Sequence, residues 1–203
     1  KKGETKSLVP FAASSIPLVT LGTFFLWFGW FGFNGFSQLA MGTFDDVTAI
    51  TKIAVNTHLA GAAGVVTGAV VTRLLDSKTD VVMMLNGALA GLVAITAEPL
   101  TPTPGLALAI GSCGSLIMYF GTKFLERMGL DDVVGAIPVH MFAGIFGTLI
   151  VPFTNADTSF GTQFTGVLAV CTFSFVLSFI IFKVLKATVG LRISKEAEKL
   201  GTD

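Results

Sequence analysis

Six long apolar runs dominate this chain and dictate what it can fold into. They lie at about 15–40, 48–75, 80–97, 105–127, 136–153 and 163–187, each near the roughly 20 residues a helix needs to cross a bilayer core. Only short polar breaks separate them, such as Thr43-Phe44-Asp45-Asp46, Asp76-Ser77-Lys78-Thr79-Asp80 and Glu98-Pro99-Leu100-Thr101-Pro102-Thr103-Pro104. Two further breaks run from Glu126 to Asp132 and from Thr154 to Ser159. None of these is long enough to fold alone, so residues 1–203 read as one membrane domain. Charged residues make up 13% of the chain and hydrophobic ones 52%. A soluble domain carries about 25% charge, and a surface this apolar is tolerated by lipid but not by water. The expected fold is an all-α polytopic bundle of about six transmembrane helices, with the lipid bilayer as its first partner.

The formal net charge is zero and points to no nucleic-acid partner, but its distribution is lopsided. Alternate polar segments hold Lys1, Lys2 and Lys6, then Arg73 and Lys78, then Lys123 and Arg127, then Lys183, Lys186, Arg192, Lys195 and Lys199, which is 12 of the 13 Lys and Arg. Only Lys52 falls on the other side, beside Asp45, Asp46, Glu98 and Asp157. Cations collect on the cytoplasmic side of membrane proteins, so both ends of this chain are expected in the cytoplasm, with a cytoplasmic tail from about residue 188. The N-terminal Lys1-Lys2-Gly3-Glu4-Thr5-Lys6 reads like an internal loop, and no secretory signal or lipidation motif is apparent.

Cys113 and Cys171 both lie inside apolar runs, so a disulfide framework is not expected and both read as small buried hydrophobes. Many of the 23 glycines fall inside the runs at spacings of three or four: Gly29, Gly32 and Gly35; Gly61, Gly64 and Gly68; Gly87 and Gly91; Gly111 and Gly114; Gly144 and Gly147. Such stripes let helix backbones approach closely, and the same room also suits a bundle packed around a narrow path. The first run is aromatic, with Phe24, Phe25, Trp27, Phe28, Trp30, Phe31, Phe33 and Phe36. These rings are either interfacial anchors or rings that plug a path or face a cation. Asn34 and Ser37 add polar groups near the outer end of that run.

Two histidines sit where hydrocarbon should not hold an ionisable group. His140 lies near the start of the fifth run, in Ile137-Pro138-Val139-His140-Met141-Phe142, and His58 lies in the second, in Val55-Asn56-Thr57-His58-Leu59. Each is either a neutral ring bonded to a neighbouring helix or a pore-lining group that binds or relays a proton. The chain carries no phosphate-binding glycine loop, no serine-nucleophile elbow, no paired-cysteine metal site and no carboxylate cluster within a span, so transport or a structural role is favoured over catalysis, and no cofactor or metal is expected.

The run Leu26-Trp27-Phe28-Gly29-Trp30-Phe31-Gly32-Phe33-Asn34-Gly35-Phe36-Ser37 closely resembles a signature of the ammonium transporter (Amt/Mep/Rh) family. Four later stretches agree in the right order: Val55-Asn56-Thr57, the segment Leu85 to Thr96, Leu130-Asp131-Asp132 leading into Val139-His140, and Val189-Gly190-Leu191-Arg192-Ile193-Ser194. The resemblance covers the family's sixth to eleventh spans, half of an inverted-repeat fold around a pore. It implies passage of ammonium, ammonia or methylammonium. His140 would be the second of the twin pore histidines, Phe33 one of the stacked gate rings, and Ser37 the hydroxyl of the outer recruitment site, with Asn34 beside them. It also implies a homotrimer, a PII-type regulatory protein at the cytoplasmic tail, and a chain or segment carrying the missing N-terminal helices. A non-transporting sensor or regulatory module is the alternative. The sequence departs from the family at Phe36, at Pro138 and Met141, and at Gly135, where an acid is frequent.

Overall fold

The computed structural model describes residues 13–194 and 197; the basic N-terminal segment with Lys1, Lys2 and Lys6, and Lys195 and Lys199 of the tail, lie outside the described residues. Its elements are helices α1 (Ile16–Phe36), α2 (Phe44–Leu75), α3 (Val81–Thr96), α4 (Pro104–Arg127), α5 (Ala143–Ile150) and α6 (Phe160–Thr188). A π-helical turn, Ile137–Phe142, precedes α5 and a 3₁₀ turn, Val151–Phe153, follows it. There is no strand among the described residues. Four helices, α1, α2, α4 and α6, are long and apolar enough to cross a membrane. The other two apolar segments, Val81–Thr96 and Ile137–Phe153, are shorter. The six expected runs are thus six helical segments, with two built short.

The polar breaks do more than separate the runs, because they supply the caps. A helix begins with orphan backbone N–H groups that need acceptors. The Ser15 hydroxyl accepts from Leu18 N and the Thr103 hydroxyl from Leu106 N, each with a proline in the first turn. Thr43 and Asp46 form a reciprocal capping box, and Asp80 accepts from Met83 N. The Asp132 carboxylate accepts from Ala136 N and Ile137 N at 2.9 and 2.8 Å, capping the fifth segment.

The short α3 is the hub, since α1, α2, α4 and the fifth segment all pack on it. Its 16 residues rise only about 24 Å at 1.5 Å each, yet Ala88, Ala90 and Leu92 are fully buried and Ala94 and Ile95 nearly so. Small residues make this possible. A Cβ on Gly87 would lie 2.6 Å from Gly64 O and 2.7 Å from the Ser115 hydroxyl, and one on Gly114 would lie 2.7 Å from Ala90 O. Gly91 and Gly111 likewise abut Ala60 O, and Gly147 abuts Ala94 O. The Ser115 hydroxyl donates to Gly64 O at 2.9 Å, pinning α4 to α2 where they meet α3. The glycine stripes of α2, α3 and α4 therefore serve close packing. Gly29 is different: among the described residues nothing lies within 4 Å of an added Cβ.

Loop contacts define the two ends of this bundle. At one end the Tyr119 hydroxyl donates to Asp76 at 2.9 Å, Lys123 lies 3.7 Å from Asp76 and 3.8 Å from Glu126, and the Asn86 amide donates to Val134 O at 3.1 Å. Arg73, Lys78 and Arg127 share this end. At the other, the Asn56 amide donates to Pro99 O and Pro102 O at 2.9 and 2.8 Å, and Asn155 donates to Glu98 at 2.9 Å. Of the cations read from the sequence as lying on one side, Arg73, Lys78, Lys123 and Arg127 share this end. Gly135, where an acid was expected from the family pattern, has φ of +74°, and a Cβ there would lie 2.8 Å from Asn86 Nδ2. The backbone at that turn needs glycine.

α6 and the residues after it form a separate unit. No α6 residue is buried within this chain, and Lys183 and Lys186 mark its last turns. Both cysteines are free, as expected, but neither is a core residue: Cys113 is exposed and Cys171 half-buried.

The Gly64 contact gives a direct test. Gly64→Ala would drive a methyl into Gly87 O, so it should lower stability by about 1–3 kcal/mol. Gly105→Ala, at a site with open space around it, should be near neutral. Thermal unfolding in detergent compares the two, and equal midpoints would refute this packing account.

Candidate functional site

Three of the four residues singled out in the sequence lie together on the last turns of α1. Phe33 points outward with 65% of its surface exposed. Ser37, the residue that caps the helix, donates its hydroxyl back to Phe33 O at 3.0 Å. Asn34 turns the other way and is fully buried, its amide donating to the Thr57 hydroxyl of α2 at 2.9 Å. Its Oδ1 is the one buried side-chain oxygen or nitrogen without a partner among the described residues. A buried amide in hydrocarbon needs such partners, so Asn34 joins α1 to α2 beneath Phe33.

α1 needs that join because it buries little else. Only Thr23, Asn34 and Gly35 are buried along its 21 residues. Trp27 packs its ring over Gly61, where a Cβ would lie 2.8 Å from the indole. Trp30 donates its indole N–H to the Thr96 hydroxyl at the end of α3, at 2.7 Å, and meets the Phe33 ring edge-on with centroids 6.1 Å apart. Sequence reasoning assigned Trp30 no individual role and Thr96 none at all, although both stood inside the stretches that carried the family resemblance. Asn56 and Thr57 were quoted there too, and the structure supplies their work as the clamp on the Pro99–Pro102 loop and the acceptor for Asn34.

His140 stands apart from these three. It lies in the π-helical turn, where an extra residue per turn widens the helix and re-aims its side chains. Its neighbours Pro138 and Val139 are buried, and the Phe142 ring packs beside Gly121 of α4. These contacts hold the turn against the bundle while the His140 imidazole remains exposed. No hydrogen bond or ring contact joins it to another described residue. Among the described residues the ring is thus not bonded to a neighbouring helix. His58 is also exposed, but it has company: its ring lies 5.5 Å from Trp27 and stacks 6.2 Å from Phe31. Among the described residues no group of His, Cys, Asp and Glu is arranged to hold a metal ion.

An outward imidazole on a π-turn, an aromatic helix ending in Phe33-Asn34 and Ser37, and a glycine-packed hub are joined in one bundle. The pattern defining the Ammonium Transporter Family matches this chain over residues 1–203. The chain belongs to that family. Ammonium transporter Amt2 of Archaeoglobus fulgidus is 42% identical over 210 residues, a match covering 93% of this chain and 44% of the relative. The putative ammonium transporter sll0537 of Synechocystis is 38% identical, with 98% and 38% covered. Among solved structures, a sensor Amt protein superposes with a TM-score of 0.85 at 35% identity, and Mep2 of Candida albicans with 0.83 at 26%. These matches cover 93% of this chain but 48% and 46% of the other chains. The chain thus spans less than half the length of these ammonium-transporter relatives. It is an integral membrane protein of the ammonium transporter family.

The Asn34 join can be tested directly. Thr57→Val keeps the shape of the side chain and removes the acceptor, and Asn34→Leu removes the donor. Each should lower the unfolding midpoint in detergent, by the equivalent of about 1–3 kcal/mol for an unsatisfied buried polar group. Combining them should cost less than the sum, since the double variant leaves no orphan. Strict additivity would show that the two side chains do not depend on each other.

Proposed function

We propose that this chain forms the C-terminal half of a transmembrane ammonium pathway, in which ammonium is drawn to an outer mouth, loses its proton and crosses as ammonia. The physical need is plain: a bare cation costs many kcal/mol in hydrocarbon, whereas neutral ammonia costs far less. In this reading Ser37 and the nearby Asn34 belong to the outer mouth, Phe33 closes it, and His140 lines the interior and takes part in hydrogen bonding or proton relay. The observation that carries the reading is His140: a polar ring displayed on an apolar helix by a π-turn, without a partner among the described residues. An ionisable group left so within a span is a functional group by default.

The same reading puts the Arg73–Lys78 and Lys123–Arg127 end in the cytoplasm, by the charge segregation. It calls for the missing helices from another segment or chain, for assembly as a homotrimer, and for a PII-type protein at the basic tail. These follow from membership of the family and from the half-length match. The sensor alternative is favoured by one observation, the high similarity to a solved structure described as a sensor Amt protein.

The decisive experiment reconstitutes the complete transporter in vesicles and replaces His140 by Leu. Ammonium current and methylammonium uptake should fall about tenfold or more if His140 handles the proton, with assembly unchanged by gel filtration. Unchanged currents would refute the role of His140. Methylammonium binding without uptake by the unaltered protein would decide for the sensor. For orientation, a cysteine at Ser77 in a Cys113→Ser, Cys171→Ser background should react with an impermeant maleimide only from the cytoplasmic side. Labelling from outside would reverse the assignment.

A further inference from the structure

Phe33 has little to hold it. Its ring is 65% exposed, and its one ring contact among the described residues is the edge-on meeting with Trp30. A phenylalanine that closes a path must nevertheless keep a defined orientation, because a side chain free to change rotamer opens at random. Among the described residues, the restraint comes through Trp30.

Trp30 is itself fixed at its polar edge. The indole N–H needs an acceptor when the ring lies in an apolar setting, and Thr96 supplies one at 2.7 Å. Thr96 is aimed in turn. Its hydroxyl proton goes to Leu92 O at 2.6 Å, one turn back along α3, which leaves a lone pair directed at the indole. Leu92 is fully buried in the hub. A chain of contacts therefore runs from the buried hub of the bundle to an exposed ring: Leu92 carbonyl, Thr96 hydroxyl, Trp30 indole, Phe33 ring. On the other side of Phe33, Asn34 fixes the backbone to α2, so α1 is held immediately before and after the residue whose ring projects.

We propose that Thr96, acting through the Trp30 indole, is a positioning residue that sets the orientation of the Phe33 ring at the outer closure. The proposal rests on the reading of Phe33 as the closing ring. Thr96 touches no substrate in this scheme. Its whole contribution passes through one hydrogen bond, so an isosteric side chain without the oxygen abolishes it and a smaller one with the oxygen preserves it.

The test uses the complete transporter in vesicles, with initial rates of methylammonium uptake measured against concentration. Thr96→Val and Trp30→Phe should each lower the maximal rate about three- to tenfold, the range expected for one hydrogen bond, with the half-saturating concentration within about twofold of the original. Thr96→Ser should restore the rate, and Thr96→Val should have no added effect in a Phe33→Ala background. A 4-fluorophenylalanine at position 33 reads orientation directly: its fluorine resonance should shift or broaden in Thr96→Val and remain in place in Thr96→Ser. A resonance unmoved by Thr96→Val, a Thr96→Ser variant as impaired as Thr96→Val, or fully multiplicative effects with Phe33→Ala would each overturn the proposal. If Phe33→Ala alone transports at the original rate, the closing role of Phe33 fails. The positioning role then falls with it, even where the fluorine signal shows that Thr96 orients the ring.

Discussion

Backbone-to-backbone contact between α2, α3 and α4 is the constraint from which the other features follow. Within a bilayer, apolar side chains gain little by leaving lipid for one another, so association rests on close packing and on hydrogen bonds between helices. Gly64, Gly87, Gly91, Gly111 and Gly114 bring carbonyl oxygens of one helix to within van der Waals reach of the next. The Ser115 hydroxyl then bonds Gly64 O across the same contact. Three helices fixed in this way make a platform rigid enough to orient what is hung on it. α1 and the fifth segment, which carry the residues of the proposed pathway, are the elements hung there.

Those two elements are attached by different means. The fifth segment is packed: Gly147 against Ala94, Pro138 and Phe142 against Gly121. α1 is attached mainly by single polar bonds from Trp30 and Asn34, with Trp27 laid over Gly61. Polar bonds suit this position because each has one geometry, whereas an apolar ring can slide. An amide or indole that loses its partner in hydrocarbon has no water to turn to. The arrangement therefore resists rotation of α1 more strongly than its small buried surface suggests.

Much of this was legible in the residues. The six runs and their polar breaks gave the element order, because apolar length is read by the bilayer directly. Glycine spacing identified the packed faces of α2, α3 and α4, whereas at Gly29 nothing among the described residues lies within 4 Å of an added Cβ. Spacing reports which residues share a face, not what covers it. The same limit hid the contacts of Trp30, Asn34 and Asn56, whose partners lie 66, 23 and 43 or more positions away in sequence. Cys113 and Cys171 were expected to be buried because they lie in apolar runs; in a membrane chain the apolar face can equally be the outer one.

The two histidines show how the remaining surface should be weighed. Both are exposed, but they are not equally stranded. The His58 ring lies against Trp27 and Phe31, so two aromatic faces replace part of its lost hydration. His140 has no hydrogen-bond or ring partner among the described residues, and the backbone there departs from regular α-helix. A π-turn sacrifices helical hydrogen-bond geometry, and a bundle has no reason to keep that defect merely to expose a histidine to lipid, where the ring gains nothing. The defect makes sense if the face bearing His140 meets polar content, supplied by the helices that the longer relatives possess beyond this chain or by what passes between the two halves. Within the proposed reading, that difference favours His140 over His58 as the residue lining the pathway.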